Sequence, residues 1–159
     1  MTLSIGEEAP DFALPGDRGE EIRLSRLRGH PVVVYFYPKD DTSGCTREAL
    51  GFTCLMPSFR DLGATVIGIS PDGVVAHGKF RAKHGLEVEL AADPDHAVLD
   101  AWGVWVEKSM YGRRYMGVER TTVLIDAAGR IARIWRKVKV PGHAEAVLAA
   151  VAELAAGDR

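Results

Sequence analysis

A chain of 159 residues, 47% hydrophobic and 26% charged, has the length and composition of one globular domain around one core. A formal charge of −2 gives no electrostatic case for a nucleic-acid or anionic-membrane partner, and no apolar run reaches the ~20 residues that span a bilayer. Two cysteines make no disulfide framework, and the opening Met1-Thr2-Leu3-Ser4-Ile5-Gly6-Glu7-Glu8 turns acidic without a basic stretch before an apolar one, so no secretory signal is read and a cytoplasmic, reducing setting is expected.

In chain order, Phe12-Ala13-Leu14 and Ile22-Arg23-Leu24 read as a small hairpin at the front of the fold. Val32-Val33-Val34-Tyr35-Phe36-Tyr37 is β-branched and aromatic throughout, as in a strand buried on both faces. A helical stretch from about 44 to 62 follows, then a second buried strand at Thr65-Val66-Ile67-Gly68-Ile69-Ser70. Strand, helix and strand of these lengths imply a right-handed parallel crossover. A further helix is expected from about 73 to 84. The stretch between Trp102 and Val118 gives no clear pattern. Thr121-Thr122-Val123-Leu124-Ile125 and Arg130-Ile131-Ala132-Arg133-Ile134-Trp135 flank Asp126-Ala127-Ala128-Gly129, a hairpin turn signal. The basic run Arg136-Lys137-Val138-Lys139 alternates with apolar residues and reads as a solvated strand face. An alanine-rich helix over 144–155 carries Val147, Leu148, Val151 and Leu154 on one face. The order β-α-β then β-β-α predicts an α/β, thioredoxin-like fold over 1–159: a central mixed sheet flanked by helices, with the N-terminal hairpin as an extension.

One cysteine stands at a junction that matters chemically. In "YFYPKDDTSGCTREAL" Cys45 falls in the first helical turn after a strand. Only a thiolate is a strong sulfur nucleophile, and a free thiol is mostly protonated at neutral pH. Unpaired N–H groups and the partial positive charge of a helix start favour the anion. Pro38 stiffens the turn and, having no N–H, can shield the sulfur side of the pocket. The Thr42 hydroxyl can accept from a backbone N–H of the turn or donate to a bound oxygen. An inert buried cysteine is the plain alternative. Against it stand the polar surroundings and the position at the carboxyl end of a sheet strand, where ligand sites collect.

The spacing Pro38-x-x-x-Thr42-x-x-Cys45 resembles the active-site signature of the peroxiredoxins, and "YFYPKDDTSGCTREA" is most similar to their bacterioferritin comigratory protein, or peroxiredoxin Q, branch. The likeness extends through "GEEAPDFALPGDRGEEIRLSRLRG", "VIGISPD" and "GVERTTVLIDAAGRI". It implies a thiol-dependent peroxidase that reduces hydrogen peroxide and organic hydroperoxides through a Cys45 sulfenic acid, with no bound cofactor and no metal. By the same resemblance Thr42 would bind the peroxide oxygens. Arg120 would favour the thiolate and steady charge on the stretched O–O bond, and Pro38 would limit solvent access. Glu48, one turn after Cys45, could orient Arg120 or be a plain surface residue. Thioredoxin, glutaredoxin or glutathione would supply reducing equivalents to a monomer or weak homodimer.

Many members of that branch place a resolving cysteine five residues after the attacking one, where this chain has Leu50. The other thiol, Cys54, is nine residues on. In an intact helix that is roughly 13 Å of rise, beyond the ~7 Å Cα limit of a disulfide. Gly51 and Pro57 weaken the helix, so a break or fraying near Pro57 is expected. Cys54 is then either a resolving thiol reached by local unwinding or a small apolar residue on the buried face, the second being preferred. Tyr37, Trp102 and Trp105 could bring apolar surface near the pocket, although core packing is the commoner use of such side chains. His30, His77, His84, His96 and His143 form no short-spaced ligand set and read as structural or solvated. A metal site of Cys45 or Cys54 with His77 and His84 therefore fits poorly, as does a disulfide oxidoreductase, which needs a cysteine where Thr42 stands. A thiol-based peroxide sensor or a holdase on the same fold is the remaining alternative.

Overall fold

The computed structural model describes residues 3–157. Its centre is a five-stranded mixed sheet built around β3 (Val32–Phe36). β4 (Thr65–Ser70) pairs parallel with β3, and β5 (Glu89–Ala92) pairs parallel with β4. On the other side β8 (Thr121–Ile125) and then β9 (Ile131–Trp135) add antiparallel. All five residues of β3 are buried, because each face of the sheet is covered. Val32, Val34 and Phe36 enter one core with Phe12, Leu99 and Trp102. Val33 and Tyr35 enter the other, with Tyr37, Phe52, Phe59, Phe80 and Val147. The period-two alternation of a strand thus feeds two hydrophobic layers.

The front hairpin is β1 (Ala13–Pro15) with β2 (Glu21–Arg23), as expected from sequence. The predicted long helix is divided into α1 (Ser43–Cys54) and α2 (Met56–Asp61) by Leu55. The break is next to Pro57, which occupies the first turn of α2, where its missing N–H removes no helical bond. α3 (Val74–His84) follows β4, and α4 (Ala97–Ala101) follows β5. α5 (His143–Gly157) packs against α1 and α2.

The stretch without a clear pattern is a second hairpin, β6 (Trp105–Met110) and β7 (Arg113–Val118). Tyr111 and Gly112, at φ 52° and 78°, make its turn. The basic run is a correction. β9 ends at Trp135, and Lys137 takes φ 49°, so residues 136–139 are solvated but form no strand face. Instead the Val138 N–H donates to the Arg120 carbonyl at 2.9 Å.

Gly68 of β4 lies opposite Tyr35 of β3. A Cβ there would stand 2.6 Å from the Tyr35 ring, itself fully buried. Gly68→Ala should therefore cost about 1–3 kcal/mol through overpacking and lower the thermal midpoint by several degrees. An unchanged melting curve would contradict this packing.

Candidate active site

β3 delivers its last residues to the site as one rigid piece. Tyr37, just past the strand, is still buried, and its N–H donates to Ile69 at 3.1 Å. Residues 38–42 then turn the chain into α1. Thr42 is the N-cap, with extended backbone (φ −90°, ψ 156°), and its carbonyl accepts the first helical bond from Thr46 at 2.8 Å. Its hydroxyl makes no cap. It donates to the Lys39 carbonyl at 2.8 Å, leaving its lone pairs free toward an incoming donor. Pro38 is half-buried at the start of the turn.

Cys45 is the third residue of α1, among the N–H groups that have no partner within the helix, and is 1% exposed. Arg120, between β7 and β8, reaches it across the sheet end. Nη2 donates to Sγ at 3.3 Å, and Nη1 donates to Glu48 Oε1 at 2.6 Å. Gly44 lies beside this approach: a Cβ there would stand 3.4 Å from Nη2, an ordinary contact. Burial alone would lower the Arg120 pKa, but the facing Glu48 carboxylate and the Cys45 sulfur together raise it, so the guanidinium stays charged. Glu48 is buried, not a surface residue. Burial pushes its pKa up to about 7 against the pull of Arg120, and its Oε2 has no hydrogen-bond partner among the described residues. One cation thus serves two potential anions, sulfur and carboxylate.

Behind Arg120, His143 at the start of α5 is hydrogen-bonded to the Thr122 hydroxyl at 2.8 Å and packed edge-on against Phe52 and Trp135. Burial first, and the Arg120 charge second, lower its pKa from 6.5 to about 4. The unfolded chain therefore takes up a proton below pH 6.5 that the folded one refuses. The stability that His143 withholds as pH falls from 6.5 toward 4 is about 3 kcal/mol. Glu48, raised above its unfolded value, acts in the opposite direction, its contribution being lost as pH rises through 7. Urea titrations of wild type and His143→Gln at pH 4.5 and pH 7 separate the two. The wild type should lose more stability on acidification than the variant, and equal losses would contradict the buried neutral imidazole.

Of the residues singled out from sequence, Cys45, Arg120 and Glu48 are joined by hydrogen bonds, with Thr42 the N-cap three residues before Cys45 and Pro38 at the start of the same turn. Cys54 does not join them. It is the last residue of α1 and exposed, which corrects the reading of it as part of the buried face. At 100° per residue Phe52 and Met56 take the core side, and Cys54 is turned away. Trp102 follows the commoner use of such side chains: it lies in the core on the opposite face of the sheet. Trp105 packs with that same core and stacks on His96 at 3.9 Å. Of these three aromatics, Tyr37 alone shares a core with Cys45. Sequence reasoning missed Asp40. Its carboxylate accepts from Tyr37 Oη at 2.6 Å and pairs with His77 Nδ1 at 2.6 Å. His84 pairs with Asp41, so both α3 histidines are already engaged.

With this geometry in place, three comparisons bear on the chain. The AhpC/TSA family pattern matches residues 5–134. The peroxiredoxin Bcp of Bacillus subtilis is 50% identical over 143 residues, covering 90% of this chain and 91% of that protein. A putative peroxiredoxin bcp of Coxiella burnetii is 47% identical, covering 93% and 98%. Among solved structures, the Xanthomonas campestris bacterioferritin comigratory protein, described for alkyl peroxide reduction, superposes with a TM-score of 0.90 at 43% identity, covering 96% of this chain and 99% of that one. This is the thioredoxin-like peroxiredoxin fold, with its mixed sheet and flanking helices.

Proposed function

The chain belongs to the AhpC/TSA family and is a peroxidase oxidoreductase of the peroxiredoxin kind, and from that premise we propose that Cys45 is its peroxidatic thiolate, acting on hydrogen peroxide and organic hydroperoxides. The observation that carries the reading is the pair of bonds from one guanidinium to Cys45 Sγ and Glu48 Oε1. The sulfur attacks the distal peroxide oxygen in line. A sulfur–oxygen bond forms, the O–O bond breaks, and two electrons pass from sulfur to the peroxide. The sulfur becomes a sulfenic acid, and the leaving oxygen takes a proton and departs as water or alcohol. Arg120 opposes charge build-up on the stretched bond, and the Thr42 hydroxyl accepts from the peroxide OH. Pro38 keeps bulk water from the sulfur.

The sulfenic acid is recycled by an external thiol of the cytoplasm: thioredoxin, glutaredoxin or glutathione. Support comes from α1, which runs unbroken from Ser43 to Cys54 and so holds the two thiols apart. The exposure of Cys54 next to the Leu55 break favours a second reading, in which α1 unwinds from its C-terminal end and Cys54 resolves the sulfenic acid. Peroxide treatment, alkylation and mass spectrometry separate the two. We expect no Cys45–Cys54 bridge, and a bridge at stoichiometric yield would establish the second. Repeated peroxide consumption with a thioredoxin system should also be seen. A single turnover would instead indicate the sensor or holdase alternative.

A further inference from the structure

We propose that α3 acts as a clasp on residues 38–42, and that His77 is a positioning residue which aligns peroxide at Thr42 without activating the sulfur. The inference rests on the peroxidase reading and deepens it.

His77 is wholly buried, and both its ring nitrogens face acceptors: Nε2 the Ala91 carbonyl at 3.1 Å, Nδ1 the Asp40 carboxylate at 2.6 Å. A carbonyl only accepts, so Nε2 is the donor to Ala91, and Nδ1 is left to pair with Asp40 Oδ2. The other Asp40 oxygen takes the Tyr37 hydroxyl at 2.6 Å. That hydroxyl is a firm donor, because burial first, and then Tyr35 and Asp40, push its pKa well up. The Asp40 N–H donates to Asp72 Oδ2 at 2.8 Å. A single residue in the middle of a five-residue turn is therefore held from the end of β3, from α3 and from the segment after β4.

The next residue is held as well. Asp41 takes φ 59°, a left-handed conformation that aspartate enters more readily than most residues. Lys83 Nζ at 2.7 Å and His84 Nε2 at 2.8 Å fix its carboxylate. His77, Phe80 and His84 fall at i, i+3 and i+7, so one stripe of α3 faces the turn. Between these two tethers and α1 stands Thr42, whose hydroxyl direction is set by the Lys39 carbonyl. None of the tethers involves Cys45, Glu48 or Arg120. Two functions are thus built on different elements: the charge on sulfur comes from Arg120 and the start of α1, and the alignment of the peroxide-binding turn comes from α3. A misplacement of about 1 Å in a reacting pair can cost roughly 10²-fold in rate.

The test uses the Cys54→Ser protein, so that Cys45 alone reports. Two rate constants are measured at neutral pH: stopped-flow reaction with hydrogen peroxide, and alkylation by iodoacetamide, which needs the thiolate but no peroxide alignment. His77→Gln should slow the peroxide reaction at least about tenfold while alkylation stays within about twofold. Tyr37→Phe removes the hydroxyl that donates to Asp40 and lies 3.4 Å from His77 Nδ1, and it should shift the same ratio by roughly three- to tenfold, which keeps the test available if His77→Gln folds poorly. An unchanged ratio of the two rates in the folded variants, including a parallel fall of both, overturns the clasp alone. A parent protein that reacts with peroxide no faster than a free thiol overturns the peroxidase reading and the clasp with it.

Discussion

Replacing Cys45 with serine should abolish peroxide turnover, a loss of at least about three orders of magnitude. A serine hydroxyl ionises far above neutral pH, and neither one guanidinium nor one helix start can bring it into range. Nor does oxygen offer the stable two-electron oxidised state that sulfur does. The substitution is nearly isosteric, in the first turn of α1, where a hydroxyl can still accept from Arg120 Nη2. The fold should therefore survive, and the thermal midpoint should shift little. A folded Cys45→Ser protein that still turns over peroxide in the thioredoxin-coupled assay would remove sulfur from the mechanism.

Arg120→Ala should slow peroxide reaction by about 10²–10³-fold, the cost of removing one preorganised donor from a dry site. Two interactions disappear together, since Nη2 serves Cys45 and Nη1 serves Glu48. Iodoacetamide alkylation at neutral pH should fall in the same variant, because the thiolate loses its counter-ion. That parallel loss sets it apart from His77→Gln. Arg120→Lys should recover only part of the rate: an ammonium keeps the charge but cannot reach sulfur and carboxylate with two fixed donors. Glu48 would be left buried beside no cation in Arg120→Ala, and it would take up a proton more readily. Adding Glu48→Gln to Arg120→Ala should then restore stability without restoring rate. An Arg120→Ala protein with wild-type peroxide kinetics would show that the 3.3 Å contact with sulfur plays no part in the reaction.

The residues that announced the site were legible because each is demanded locally. Pro38, Thr42 and Cys45 sit within eight consecutive residues at a strand-to-helix junction, where helix-start electrostatics can be read without tertiary information. β3 and β4 were legible because strands covered on both faces are apolar throughout. β6 and β7 were not, since most of their residues are at least partly exposed and no alternation marks a buried side. Only the Tyr111-Gly112 pair hinted at a turn. Cys54 was misplaced because "FTCLM" looks apolar as a run, whereas the helical period gives the core side to Phe52 and Met56. The Asp40–His77 pair spans 37 residues and joins a turn to a helix, so no local pattern could reveal it.

The most direct test of the account is to treat the fully reduced protein with one equivalent of hydrogen peroxide in the presence of dimedone, then map the adduct by peptide mass spectrometry. The account predicts one adduct per chain, on the peptide that carries Cys45, with the Cys54 thiol still titratable. A dimedone adduct confined to Cys54, or no adduct while peroxide is consumed, would contradict it.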